Sequence, residues 1–248
     1  MRKRKEQFMG GLKTAVAAGA ALAMSGAFAD AADMPLPQPE YHAPLLDLNS
    51  GWYVRGDLGG YWGVLSRAES AAPFANPTDS SLGQGFTGGL GVGIKTSWLR
   101  TDITIDYATP MKYQGTVATP GDTTAKIQPT TGLFNGYLDL GTWYHISPYI
   151  GAGVGASYTR VSDYASTGAP PFSGDVNRGQ WNFSWAGMAG IAYAISHNLM
   201  IDVGYRYLNI GDVATGSDAF GAMTFKNVAA HEARVGVRWS FDDLHFPN

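Results

Sequence analysis

The sequence predicts an all-β protein: an eight-stranded antiparallel transmembrane up-and-down β-barrel. Three observations carry this reading. First, Leu99 to Tyr107 reads L-R-T-D-I-T-I-D-Y. Strand side chains alternate between faces with period 2, so Leu99, Thr101, Ile103, Ile105 and Tyr107 share one side and Arg100, Asp102, Thr104 and Asp106 the other. Second, seven further stretches follow the same rule, joined by connections that alternate strictly between long loops and tight turns. Third, the apolar faces are too bulky to be turned inward.

In chain order, Trp52 to Val64 forms the first strand, with Trp52, Val54, Leu58, Trp62 and Val64 on one face and Arg55 and Asp57 on the other. A polar loop, Ser66 to Gln84, leads to the second strand, Phe86 to Lys95, where Phe86, Leu90, Val92 and Ile94 oppose Gly85, Gly89, Gly91, Gly93 and Lys95. Thr96-Ser97-Trp98 is a tight turn into the third strand, which runs out near Pro110, and Thr109 to Pro129 is the second long loop. Thr131 to Tyr144 is the fourth strand, with Phe134, Leu138 and Leu140 opposite Asn135, Tyr137 and Asp139, and His145-Ile146-Ser147 turns the chain into the fifth, Pro148 to Arg160. Val161 to Gly179 is a third long loop. Gln180 to Ile195 and Leu199 to Leu208, joined by Ser196-His197-Asn198, are strands six and seven, the latter with Asp202 and Arg206 on its polar face. Asn209 to Lys226 is the fourth long loop, and Ala229 to Phe241 the last strand, with Val235, Val237, Trp239 and Phe241 against Glu232, Arg234 and Arg238. Segments of about ten residues with this loop asymmetry match an outer-membrane barrel, with short turns on the periplasmic side and long loops outside.

Period alone does not separate such a barrel from a soluble carrier with its apolar face inside. Size does. An eight-stranded barrel has an interior only just filled by side chains or one small ligand. The apolar face carries Trp52, Trp62, Phe86, Tyr107, Phe134, Tyr158, Trp181, Phe183, Trp185, Tyr193, Tyr205, Tyr207, Trp239 and Phe241, which do not fit there. The other face, largely Gly, Ser, Thr and charge, does fit. An outward apolar face of that extent needs lipid. Aromatics also cluster at strand ends. Trp52, Trp98, Trp143, Tyr193 and Trp239 lie near the tight turns, and Tyr107, Tyr158, Trp181 and Tyr207 near the long loops, as expected of belts at two bilayer interfaces.

Composition and the N-terminal stretch agree. The chain of 248 residues holds 33 Gly, 7 Trp, 13 Tyr and 11 Phe, only 15% charged residues and no Cys. Residues 1–29 read as a cleaved Sec-type signal peptide. Arg2, Lys3, Arg4, Lys5 and Lys13 form the basic region, Thr14 to Met24 is a short Ala-rich apolar run, and Ala27-Phe28-Ala29 is the cleavage site. Cleavage takes five basic residues and one acidic residue from the 17 and 20 present, leaving 12 and 19 and a net charge of −7 instead of −3. Nothing in this balance suggests a nucleic-acid partner. No further run of about 20 apolar residues remains for a membrane helix. Residues 30–50, with Pro35, Pro37, Pro39 and Pro44, read as a Pro-rich periplasmic lead-in, residues 51–241 as the transmembrane barrel and residues 242–248 as a C-terminal extension.

G-W-Y-V-R-G-D-L-G-G-Y from Gly51, P-Y-I-G-A-G-V-G from Pro148 and the closing R-V-G-V-R-W-S-F resemble the small outer-membrane β-barrel proteins of the opacity-antigen type, frequent among α-proteobacterial surface antigens. The resemblance covers about Gly51 to Phe241. It implies a bacterial outer-membrane location in a Gram-negative cell, with outer-membrane lipid and lipopolysaccharide around the barrel. It also implies assembly by the barrel-assembly machinery, which reads a terminal aromatic. Here Asp242 to Asn248 follow Phe241, so the assembly signal falls on Phe241 or, more poorly, on Phe246.

The inward register holds six basic residues (Arg55, Lys95, Arg100, Arg206, Arg234, Arg238) and six acidic ones (Asp57, Asp102, Asp106, Asp139, Asp202, Glu232). Buried charges need partners, so this balance predicts a packed polar plug in preference to an ion-selective pore. Asp139 is the first expected partner of Arg100 and Asp57 the second. Catalysis is not expected. Of His42, His145, His197, His231 and His245, only His231 lies on a strand face, directed to lipid, while its neighbour Glu232 points the other way and cannot orient it. No metal-ligand spacing is present, and G-A-G-V-G-A from Gly151 lies in mid-strand with no helix after it, so it reads as lumen packing instead of a phosphate loop. No cofactor is expected. The sequence therefore reads as a monomeric structural or surface protein contributing to envelope integrity, with four extracellular loops open to a ligand. A small porin-like channel is the alternative and a lipid-modifying enzyme the third reading.

Overall fold

In the computed structural model, residues 51–70, 76–77, 79–117, 121–167, 172–173, 178–216 and 222–241 are described. The expected signal peptide (1–29), lead-in (30–50) and extension (242–248), with His42, His245 and Phe246, lie outside the described residues. The described residues form twelve strands, in chain order β1 (Gly51–Val64), β2 (Arg67–Glu69), β3 (Asp79–Leu82), β4 (Gln84–Thr96), β5 (Leu99–Ala108), β6 (Met111–Val117), β7 (Gly121–Asp139), β8 (Ile146–Ser166), β9 (Phe172–Ser173), β10 (Arg178–Ala194), β11 (Leu199–Ala214) and β12 (Thr224–Ser240). Eight long strands close a ring in the order β1, β4, β5, β7, β8, β10, β11, β12. Every pairing in that ring is antiparallel. The short strands extend the ring at one end only: β3 pairs with β6, β6 with β7, β2 with β12 and β9 with β8.

At the other end the strands meet in short connections. The fourth predicted strand ends earlier than its alternation suggests, at Asp139 and not Tyr144. Tyr144 and His145, at φ 48° and 70°, form the turn. Trp143 and Ile146 exchange backbone hydrogen bonds of 2.9 and 2.8 Å across it. Two central residues of positive φ match the twist of a hairpin, which moves the turn back from His145-Ile146-Ser147 and lets Ile146 start β8. This is the end nearest the tight turns, called the turn end below.

At the loop end the barrel continues well beyond the predicted strands. β7 starts at Gly121 and not Thr131, β8 runs to Ser166, β11 to Ala214, and β12 begins at Thr224. The inward positions there are apolar: Met111 and Tyr113 on β6, Ala125 and Ile127 on β7, Val161 on β8, Val213 on β11, Phe225 and Val228 on β12, all buried. Their flanking Thr, Gln and Lys residues face out. Pro129 is accommodated where the ladder to β5 has ended at Thr130 and that to β6 has not begun, at Ile127. A residue without an N–H is tolerated at such a junction.

The outer surface of the ring is apolar. Leu58, Phe86 and Trp181 are 74%, 75% and 72% exposed, and Leu90, Ile103, Ile105, Phe134, Phe183, Val203 and Val235 are exposed with them. A surface of this kind is untenable in water and is what a hydrocarbon environment selects in a barrel, which leaves no unpaired edge in lipid.

Candidate functional site

The lumen holds the charged residues. Near the turn end, Arg100 Nε donates to Asp139 Oδ1 at 2.8 Å, and Lys95 Nζ lies 3.8 Å from Asp139 Oδ2. The Arg100 guanidinium lies 4.8 Å from the ring centres of both Tyr137 and Tyr149. Arg238 lies 3.5 Å from Asp202 and over the Tyr53 ring. One level up, Arg55 bridges Asp57 and Asp102, each at 3.2 Å, and donates to the Tyr137 hydroxyl at 2.9 Å. Tyr53 donates to Asp102 at 2.9 Å, and Asn135 to the other Asp102 oxygen at 2.7 Å. Mid-barrel, Arg206 bridges Asp106 at 2.8 Å and Glu232 at 2.7 Å, while Arg234 joins Asp57, Asp106 and Glu232.

Local structure explains how so many large side chains fit. β4 and β8 present glycine to the lumen, and a Cβ at Gly93 would lie 2.5 Å from the Tyr53 ring and 2.6 Å from Asp102 Cβ. Glycine there makes room for the tyrosine and the carboxylate. What remains open among Arg55, Asp57, Thr104, Tyr149 and Arg234 is a cavity of about 30 Å³.

The alternation describes the inward face as largely Gly, Ser, Thr and charge. The structure corrects this in two ways. Tyr53, Tyr61 and Tyr149 also point inward and are buried, beside Tyr137, which the alternation already placed there; the signal was available, since Tyr53 and Tyr149 alternate with the outward Val54 and Ile150. Above the charges, the loop-end half of the lumen is filled by an apolar cluster that includes Tyr61, Tyr113, Ile127, Leu133, Val161, Val213 and Phe225. Between the two, Thr131, Ser157 and Ser184 form a buried hydroxyl ladder with links of 2.7 Å.

On the outside, Trp52, Trp98, Trp143, Tyr193 and Trp239 are exposed at the turn end, and Tyr107 and Trp181 at the loop end. Tyr158 and Tyr207 are partly covered, Tyr158 by Trp181 with ring centres 5.3 Å apart and Tyr207 by Trp185 at 5.4 Å. His231 faces out with them, its Nδ1 2.6 Å from the Tyr205 hydroxyl, while Glu232 is buried in the lumen on Arg206. The Phe241 N–H donates to the Trp52 carbonyl at 2.8 Å, continuing the seam between the first and last strands.

Above the loop end, Asp212 accepts from Lys226 Nζ at 2.8 Å and from the Asn227 N–H at 2.9 Å. These bonds, the one from Lys226 first, hold its carboxyl below the usual carboxylate range. A depressed folded-state pKa stabilises above the unfolded-state value and is lost as pH falls through the folded one. The Asn227 amide is therefore expected to lose hydrogen-exchange protection as pH drops below about 4, and Asp212→Asn to abolish that dependence. Unchanged protection at low pH would contradict it.

A closed antiparallel barrel with a lipid-compatible exterior and a filled lumen defines an integral outer-membrane β-barrel protein. The chain belongs to the family described as the outer membrane protein beta-barrel domain, which matches residues 15–241, and its location is the bacterial outer membrane. An uncharacterised protein of Brucella abortus is 30% identical over 226 residues, covering 78% of each chain. A candidate adhesin of Rickettsia bellii is 26% identical over 212 residues, covering 77% of this chain and 88% of its own. Among solved structures, the outer membrane protein AlkL, determined by solid-state NMR in DMPC bilayers, superposes with a TM-score of 0.51 at 14% identity, covering 91% of this chain and 100% of its own. That similarity is one of fold.

Proposed function

We propose that this is a monomeric, non-enzymatic barrel that contributes to envelope integrity and presents its long connections outside the cell as a surface for an extracellular ligand. The observation that carries the reading is the double filling of the lumen, ion pairs around a cavity of about 30 Å³ below and apolar side chains above. A channel needs a continuous wet path, and an apolar constriction opposes one by dewetting. The extension of the sheet at the loop end gives the surface a rigid base, and the name of the Rickettsia relative supports a role in attachment. The outward His231 and inward Glu232 support the non-enzymatic reading. The seam at Phe241 fits an internal signal for the barrel-assembly machinery.

In planar bilayers the refolded protein is expected to give no steady openings, and purified protein to leave the mass of lipid A unchanged. Uniform, regular openings would replace this reading with the porin-like one. A deletion strain is expected to show detergent sensitivity together with reduced adhesion; wild-type behaviour in both would overturn the proposal.

A further inference from the structure

The wall at the loop end is not continuous. β10 and β11 are paired from Ala194 and Met200 up to Trp185 and Asn209, and there their ladder stops, although β10 runs on to Arg178 and β11 to Ala214. Each keeps its other neighbour. β10 pairs with β8 as far as Arg178 and Val161, and β11 with β12 as far as Ala214 and Thr224. On the far side, β2 is paired with β12 alone and β3 with β6 alone among the described residues, so no ladder joins β2 to β3 either. The upper ends of β11 and β12, together with β2, therefore form a small sheet with two free edges.

A line of irregular backbone runs along the base of that sheet. β11 is bulged on both sides of Gly211, which has φ 76° and is paired with Val228 on β12, and the adjoining Asn227 has φ 50°. Gly and Asn adopt positive φ at least cost, and bulges bend a strand. Above this line the small sheet is clamped internally: Lys226 Nζ lies 2.8 Å from Asp212 on β11 and 3.9 Å from Glu69 on β2. Its inner face, with Ala68, Val213, Phe225 and Val228, is buried, and the Phe225 ring packs on Tyr113 of β6 with centres 4.5 Å apart. Across the gap between β10 and β11, a side chain stands in for the ladder. Gln180 Nε2 donates to the Asp212 carbonyl at 2.8 Å, and Gln180 Oε1 accepts from the Ala214 N–H at 3.2 Å, the donor and acceptor that a peptide group would supply.

We propose that this small sheet is a flap over the loop end of the lumen, hinged at Gly211 and Asn227 and latched by Gln180. Closed, its inner face completes the apolar cluster. Open, it uncovers that cluster and the buried hydroxyls below it to the loop side. Local opening in proteins follows cooperative units of about one supersecondary motif, and here the free edges and the bulged base mark the limits of the unit. The inference rests on the closed lumen proposed above, of which the flap is the movable part.

The chain has no Cys, so Val161→Cys places a single thiol beneath the flap, where the native side chain is fully buried. Its labelling by a charged methanethiosulfonate, in the refolded full chain in phosphatidylcholine nanodiscs, reads opening. Adding Gln180→Ala removes two hydrogen bonds and is expected to speed labelling on the order of tenfold, whereas adding Gln114→Ala, on the outer face of β6, should leave it unchanged. Hydrogen exchange gives a second reading. Gln180→Ala should speed exchange at Ala214 and not at Val203, which is paired on both sides within the barrel. A Cβ at Gly211 would lie 3.9 Å from Asn182 Cβ, within disulfide range. Asn182→Cys with Gly211→Cys should therefore lock the flap, with slower exchange at Ala214 in the oxidised than in the reduced form of the same variant, a comparison in which the strain of Cys at φ 76° cancels. No change in labelling or exchange on Gln180→Ala would overturn the flap. Equal acceleration at Ala214 and Val203 would mean a general loss of stability and overturn it too. Steady openings of the wild type in planar bilayers would remove the closed lumen itself, so a failure of that premise is distinguishable from a failure of the flap.

Discussion

Val203→Arg is expected to lower the stability of the refolded barrel by roughly 2–4 kcal/mol in a urea titration in lipid vesicles. Val203 is exposed on the outer face of β11 and paired with Val235, which is itself paired with Leu58. Leu58 lies near the middle of β1, and the three form one row across the outer face. An arginine there must carry its charge into hydrocarbon or distort the bilayer to reach water. Gln114→Arg, an equally large change on the exposed face of β6 beyond the barrel's apolar band, should stay within about 0.5 kcal/mol. Equal stabilities for the two variants would remove the assignment of lipid to the outer face.

That assignment was legible because a single physical rule, alternation on a pleated sheet, decided it strand by strand. Ile103, Ile105 and Tyr107 are exposed and Arg100, Asp102 and Asp106 buried, as L-R-T-D-I-T-I-D-Y implies. The loop end was not legible in the same way. T-T-A-K-I-Q-P-T-T and M-K-Y-Q-G-T-V contain the Pro, Gly, Thr and Gln that also mark loops, and their inward residues, Ile127 and Tyr113, become meaningful only once β6 and β7 are paired. The turn at Tyr144-His145 has neither Gly nor Asn to announce positive φ. Partnerships inside the lumen divided by distance in the ring. Arg100 and Asp139 sit diagonally on neighbouring strands, where register restricts the choice. Arg206 on β11 meets Asp106 on β5, four strands away around the ring, and that contact depends on the barrel being narrow enough for the two walls to touch.

Arg100 is the residue whose loss should be felt most. Its side chain is only 2% exposed, it holds Asp139 at 2.8 Å, and it is packed between Tyr137 and Tyr149. Arg100→Met keeps most of the volume between the two rings but removes the cation, leaving Asp139 with Lys95 at 3.8 Å as its remaining ion pair. Breaking a buried pair from one side typically costs about 3–5 kcal/mol, because the surviving charge has lost its compensation, whereas replacing both members is often close to neutral. Arg100→Met alone is therefore expected to lose about that much, and Arg100→Met with Asp139→Asn to recover most of it. Arg100 Nη2 has no hydrogen-bond partner among the described residues. The native pair thus already carries an unsatisfied donor, which further favours recovery in the neutral double variant. A double-mutant cycle on refolded barrels measures the coupling directly. Arg100→Ala adds a cavity between the tyrosines and should fall below Arg100→Met in both backgrounds. If Arg100→Met is silent whether or not Asp139 is charged, water screens the pair. The lumen is then wet at the turn end, and only the apolar cluster around Leu133 and Phe225 stands between the two sides of the membrane.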